Sequence, residues 1–335
     1  METVYFLGVD IAKKTFDASL TIDAKAFDAS RCENDVKSID AFFRDLKRKA
    51  GLSYDQLIVC MEHTGIYCLP LLNFLVENSI KVCLESALHI KRSQGLVRGK
   101  NDKVDAQRIA TYAYKNREHL AFWKPQRLII QKLKALLVTR DRLVAVKAML
   151  SVPIQECEEF IDKSIHKSMA KSCHRSLKVL SEEIKRIEKS MDQLVEKDDS
   201  LSKQVHLATS VVGVGDIIAL NMIVSTGEFE RIDEPKRFAC YAGVAPFEHT
   251  SGSSVRGKTR VSKMANVSIK KLLTMGARSA ILHDPELKLY AERKMAEGKH
   301  YLNVINAVRN KLITRVFACV KGNREYQKIY SSPLA

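Results

Sequence analysis

Apolar positions along the chain follow two different periods, and the order in which they alternate predicts the elements. Val4-Tyr5-Phe6-Leu7-Gly8-Val9-Asp10 is a nearly unbroken apolar run of strand length, and Thr15 to Thr21 and Ala24 to Arg31 follow as two more strands of a meander. The spacing then becomes helical. From Asn34 or Asp35 as cap, Ile39, Phe42, Phe43 and Leu46 fall on one face up to a stop at Gly51. Gln56 to Glu62 reads as a fourth strand, Leu69 to Asn78 as a helix, Lys81 to Leu84 as a short strand, and Val104 to Asn116 as a helix. The order βββαβαβα predicts a mixed sheet with helices on its faces, an α/β domain over residues 1–127.

Beyond residue 128 the strand signals stop. Ile129, Leu133, Leu136, Leu137, Leu143 and Val144 give one apolar helical face, and Ser151-Val152-Pro153 is expected to break that helix. Leu177, Leu180, Ile184, Ile187, Met191 and Leu194 then step by threes and fours with charges between them, the seam of a coiled coil. Residues 128–204 therefore read as a helical insert, either an intramolecular hairpin or an oligomerisation arm. Residues 205–335 read as a mostly helical third domain. It opens on Val212-Gly213-Val214-Gly215, where Gly213 and Gly215 would let backbone amides approach a phosphate at the start of a helix, as in helix-hairpin-helix proteins. A structural turn between two helices is the alternative.

Charge adds a partner to this outline. The chain of 335 residues carries 55 basic and 39 acidic side chains, a net charge of +16, and residues 201–335 hold 21 of the basic against 11 of the acidic. The C-terminal third is thus the expected phosphate-binding surface, above all where Arg256, Lys258, Arg260, Lys263, Lys270, Lys271 and Arg278 succeed one another without an intervening acid. A merely solvated basic face is the plainer alternative. No apolar run reaches membrane-spanning length and the start lacks a secretory signal, so a cytoplasmic location is expected, on the nucleoid when acting. The eight cysteines show no CxxC pair and read as reduced, mostly buried side chains.

The candidate chemistry lies in the acids. Asp10 ends the first strand, Glu62 ends the fourth, and Asp102 and Asp105 stand three apart where a helix begins, so that both can share one helix face. In an RNase H-like sheet the first and fourth strands are neighbours, which would bring Asp10 beside Glu62. Four converging carboxylates are hard oxygen donors suited to two Mg²⁺ ions about 4 Å apart, which would clamp the attacking and leaving oxygens of a phosphodiester displacement.

Four motifs in order, Gly8-Val9-Asp10-Ile11-Ala12-Lys13, Glu62-His63-Thr64-Gly65, Lys100-Asn101-Asp102-Lys103-Val104-Asp105-Ala106, and Ala242-Gly243-Val244-Ala245-Pro246 followed by Thr250-Ser251-Gly252, resemble those of the insertion sequence 110 family of DEDD transposases. The resemblance implies a RuvC-like (RNase H-like) N-terminal domain, a coiled-coil insert and a C-terminal transposase domain. It implies Asp10, Glu62, Asp102 and Asp105 as the acidic set and Ser251 as a nucleophile that forms a covalent phosphoserine link with DNA, later reversed by a free DNA hydroxyl. It also implies double-stranded donor and target DNA, a structured guide called the bridge RNA, and dimers assembling to tetramers in which the acids of one subunit meet the serine loop of another. The residues alone leave Thr250, Ser251, Ser253 and Ser254 open as hydroxyls, and the family's Ser-Gly pattern selects Ser251. His63 and His249 flank proposed catalytic residues, and Lys13, Thr64, Gly65 and Lys100 are candidate phosphate or turn residues. Two other functions compete with the recombinase: a RuvC-like Mg²⁺-dependent endonuclease of branched DNA that uses water as nucleophile, and a non-enzymatic nucleic-acid scaffold.

Overall fold

The computed structural model describes residues 3–25, 28–93, 102–251, 255–261 and 265–327, with the backbone alone at residues 102, 248–251 and 255–260. The chain forms two compact units, Met1–Pro125 and Gln126–Ala335.

The first unit is the expected mixed α/β sheet. Strands β1 (Tyr5–Ile11), β2 (Thr15–Thr21) and β3 (Asp28–Glu33) form an antiparallel meander, and β4 (Leu57–Glu62) and β5 (Lys81–Glu85) continue it in parallel, in the order β3-β2-β1-β4-β5. Helices α1 (Val36–Ala50) and α2 (Leu69–Glu77) cover one face, and α3 (Ala87–Ser93) and α4 (Asp102–Lys115) belong to the other. The caps of α1 are local. Asp35 accepts bonds of 3.0 Å from the amides of Lys37 and Ser38, and Gly51 closes the helix in the left-handed region at φ 61°. Alternation along the strands sorts the side chains by face. Leu7, Val9, Ile11, Phe16, Ala18 and Leu20 join Ile39, Phe43, Leu71 and Leu75 in one core, while Phe6, Ile58, Cys60 and Cys83 meet Ile90, Ile109 and Ala113 in the other. At the β5 edge Phe122 pairs with Cys83, and the Trp123 amide donates to the Val82 carbonyl at 2.8 Å.

The second unit is mostly helical: α5 (Leu128–Cys157), α6 (Lys163–Glu196), α7 (Asp199–Thr209), α8 (Asp216–Thr226), α9 (Pro235–Tyr241), then a two-stranded ribbon of β6 (Pro246–Ser251) and β7 (Val255–Val261), and α10 (Val267–His283), α11 (Pro285–Ala296) and α12 (Tyr301–Lys321). Helix α8 is apolar around most of its circumference and sits in the core with Leu273, Ala277, Leu312 and Val316. Helices α5 and α6 fold back on each other as a hairpin, and Arg140 Nε donates to Glu188 Oε1 across it at 2.7 Å. Their near ends, at Ile130, Leu133, Leu137 and Met191, are buried in the same core as α8.

Pro153 does not break α5, contrary to the sequence expectation; the helix runs through it to Cys157. A proline removes only its own N–H and crowds the carbonyl four residues earlier. Here just four helical residues follow it, and the last turn is tied to α6, where His166 Nε2 lies 3.0 Å from the Ile154 carbonyl oxygen. Among the described residues no helix is long and apolar enough to cross a membrane. The eight cysteines are unbridged, with Cys32, Cys60, Cys68, Cys83 and Cys319 buried.

Candidate active site

Strand register sets the acids side by side. Val9 pairs with Met61 across the parallel β1–β4 ladder, so one further step sets Asp10 alongside Glu62. Asp10 also pairs with Asp17 across β1–β2, and Glu62 with Glu85 across β4–β5. Residues directly opposite each other in a sheet share a face. Asp17, Asp10, Glu62 and Glu85 therefore form one row of carboxylates across four strands, on the face that α4 covers.

Gly8 lets α4 come that close. A methyl group there would lie 2.2 Å from both the Ala106 carbonyl oxygen and the Ala110 amide nitrogen, so the helix backbone rests directly on β1. Ala106, Ile109, Ala110 and Ala113 form the buried stripe of α4, and Asp102 opens the helix one turn before Ala106. Asp105 is half-buried and accepts a 2.6 Å bond from Arg108 Nη1. The side chain of Asp102 lies outside the described residues, and among those described no three carboxylate, histidine or cysteine side chains are grouped to hold an ion.

The surroundings favour oxygen chemistry over thiol chemistry. Cys60 and Cys83 lie on the same face, one pair deeper than Glu62 and Glu85. Their mutual contact and their burial push the Cys60 thiol well above its usual range, which keeps it protonated. Burial, with Glu85 beside it, pushes the Tyr112 hydroxyl up to about 12. His63 is exposed, its Nδ1 accepting a 3.4 Å bond from the Gly65 amide, and Glu85 Oε2 lies 3.2 Å from His89 Nδ1.

Two family models described as transposases match this chain. One, for the DEDD transposases of IS110, covers residues 7–157, and one described as the transposase IS116/IS110/IS902 family covers residues 205–292; together they span more than two thirds of the sequence. The chain belongs to the IS110 family of transposases. A pilin gene-inverting protein of Moraxella bovis is 25% identical to it over 96% of this chain and 98% of its own length. The transposase for insertion sequence element IS1111A of Coxiella burnetii is 26% identical over 55% of this chain and 56% of its own length. An uncharacterized 43.6 kDa protein of insertion element IS110 from Streptomyces coelicolor is 27% identical over 36% of this chain and 29% of its own length. In general terms the family's activity is cleavage and strand transfer of DNA.

The remaining candidates of this IS110-family transposase fall in several places. Ser251 ends β6, its backbone paired with Val255, and Thr250 pairs with Arg256; Lys258 and Arg260 follow at alternate positions of β7. The side chains of all of these, and of His249, lie outside the described residues, as do Lys100 and Lys263 entirely. Lys13 is exposed in the tight β1–β2 turn, where the Ala12 amide donates to the Thr15 carbonyl at 2.9 Å. Gly213, at φ 90°, is accounted for by packing, since a methyl there would lie 2.5 Å from the Gly276 carbonyl oxygen of α10. Gly215 is the open N-cap of α8. Sequence reasoning missed Asp17 and Glu85; the one signal for Asp17 was an acid in a strand whose other residues on that face, Thr15, Ser19 and Thr21, are small and uncharged, and Glu85, which shares its face with Cys83 and Lys81, carried none.

Proposed function

We propose that the protein is a DNA recombinase of an insertion sequence that cuts and rejoins donor and target DNA through a covalent phosphoserine intermediate. The observation that carries this reading is the register that sets Asp10 beside Glu62 on the face where α4 begins with Asp102 and Asp105. The donor chemistry fits Mg²⁺: the groups at the rim of this face are carboxylates, hard oxygen donors, and the Cys60 thiol below them is held protonated. Asp10, Glu62, Asp102 and Asp105 would hold the metal, which when bound supplies charge stabilisation at the phosphate. Ser251 Oγ forms a bond to phosphorus as the bond to the leaving DNA oxygen breaks. A DNA hydroxyl later displaces Oγ in the reverse sense, so the bond energy is kept and no ATP is consumed.

The relative named for pilin gene inversion supports recombination over plain hydrolysis. Arg256, Lys258, Arg260, Lys263, Lys13 and Lys100, with the amides at Gly215, contact phosphates without reading bases, and sequence choice is supplied by a bridge RNA. The working form is a dimer that assembles to a tetramer in the cytoplasm, on the nucleoid.

The deciding experiment is a denaturing gel for protein–DNA adducts, with labelled donor and target DNA, Mg²⁺ and the RNA encoded beside the gene, for wild type, Ser251→Ala and Asp105→Asn. An adduct in wild type and in neither variant is the expected result. Cleavage by Ser251→Ala to free ends, with Asp105→Asn inactive, would instead establish the water-using RuvC-like endonuclease.

A further inference from the structure

Asp17 is 4% exposed, one of few charged side chains in either core. Its Oδ1 has no hydrogen-bond partner. Its Oδ2 has Arg31 Nη1 at 3.9 Å, a long contact from a side chain that is 58% exposed and whose Nη2 donates instead to Thr15 Oγ1 at 3.0 Å. A buried carboxylate so weakly compensated is costly, because water is excluded and no donor replaces it. The register explains where the unused oxygen belongs. Asp17 is the direct cross-strand partner of Asp10, on the same face, at the end of the sheet where Glu62 lies. Directly opposed residues of an antiparallel pair have Cβ atoms about 5 Å apart, so the two carboxylates are held as neighbours by backbone that neither can move.

We infer that Asp17 is a fifth acid of this site, a positioning carboxylate beside Asp10 that strengthens the binding of a divalent cation. It does not reach DNA, since it is buried by the sheet and α4. It acts through Asp10, by adding negative charge where the cation sits and by fixing the orientation of its neighbour. The inference rests on the metal reading of the acidic set, and the test separates the two.

The test uses the full chain without DNA and Mn²⁺ as probe, with free Mn²⁺ counted by electron paramagnetic resonance and melting followed with and without the metal. Wild type is expected to bind Mn²⁺ and to melt at a higher temperature with it. In Asp17→Asn the affinity is expected to fall about tenfold or more, the range found when outer-shell partners of a metal site are removed. The metal-free melting temperature is expected to stay or rise, because the amide relieves the repulsion between like charges. A purely structural Asp17 gives the opposite pattern, with equal loss of stability in both conditions and unchanged Mn²⁺ affinity, and that result overturns the inference while leaving the metal reading intact. Failure of wild type to bind Mn²⁺ overturns both. Should Asp17→Asn be insoluble, Arg31→Gln decides: removing this exposed cation is expected to tighten Mn²⁺ binding about threefold, and an unchanged affinity overturns the inference.

Discussion

Replacing Gly8 with alanine tests the contact that places the acidic helix on the sheet. The added methyl would stand 2.2 Å from Ala106 O and Ala110 N and 2.8 Å from Ala110 Cα, where ordinary contact begins at 3.4 Å. The shortfall is about 1.2 Å, and all three atoms are backbone, so no side chain can swing aside to absorb it. Helix α4 has to move outward by about 1 Å, taking Asp102 and Asp105 away from Asp10 and Glu62. Overpacking of this kind costs about 2–3 kcal/mol. At about 4 °C per kcal/mol for a domain of this size, the melting temperature falls by about 8–12 °C. Under the role proposed above for Asp102 and Asp105, the effect on chemistry exceeds the effect on stability, since a displacement of about 1 Å in a catalytic group lowers rates about 100-fold. Circular dichroism melting and single-turnover DNA cleavage, measured well below the new melting temperature, separate the two effects. A Gly8→Ala protein that melts within a degree of wild type and cleaves at the same rate would refute the close approach of α4 to β1.

Gly213→Ala is expected to lower the stability of the second unit by about 2–3 kcal/mol, because the site needs φ 90° and has the Gly276 carbonyl 2.5 Å away; chemical denaturation reads it, and an unchanged midpoint would place the turn elsewhere. Arg315→Met removes the cation that holds Asp284 Oδ2 at 2.7 Å, and leaves this 2% exposed carboxylate with only the Glu286 and Leu287 amides it caps at the start of α11, a loss of about 1.5–3 kcal/mol for a charged hydrogen bond; a loss under 0.5 kcal/mol in the same assay contradicts this. The Arg127 guanidinium and the Leu201 amide hold the Asp198 carboxyl below its usual range. A carboxyl lowered in the folded state contributes stability above its unfolded value near 4, and that contribution disappears as the pH falls through the folded value. Melting curves of wild type and Asp198→Asn should accordingly differ most near pH 7 and converge as the pH drops below about 4, and a gap that widens in acid would reverse the assignment.

Much of the first unit was legible because its signals are local. Thr15 to Thr21 is the second strand as read, Asp35 and Gly51 bound α1 as their cap chemistry requires, and apolar runs marked β1 and β4. The adjacency of those two strands followed from their order in a known kind of sheet. What escaped the sequence depends on register between segments far apart in the chain. Nothing near Asp17 announces that it faces Asp10, nothing near Gly8 announces Ala106, and β5 was read to end at Leu84, one residue short of Glu85. Pro153 was misread for a related reason, because helix propensity is judged residue by residue while the packing of α5 on α6 that outweighs it comes from residues further along. The roles of Asp102 and Ser251 rest on the family motifs, since their side chains fall outside the described residues.

The burial of Ile130, Leu133, Leu137 and Met191 in the core around α8 has a mechanical meaning. A hairpin joined to its body by a flexible loop swings freely, whereas one whose helices run unbroken into a packed interior behaves as a beam clamped at one end. Helix α5 runs from Leu128 to Cys157 and is buried in the core as far as Leu137, so at 1.5 Å per residue the free part of the beam is about 30 Å long. A load at its far end is borne by the same apolar contacts that hold the second unit together. Its reach can then be altered in measured steps: deleting seven residues, about two turns, from each helix shortens it by about 10 Å.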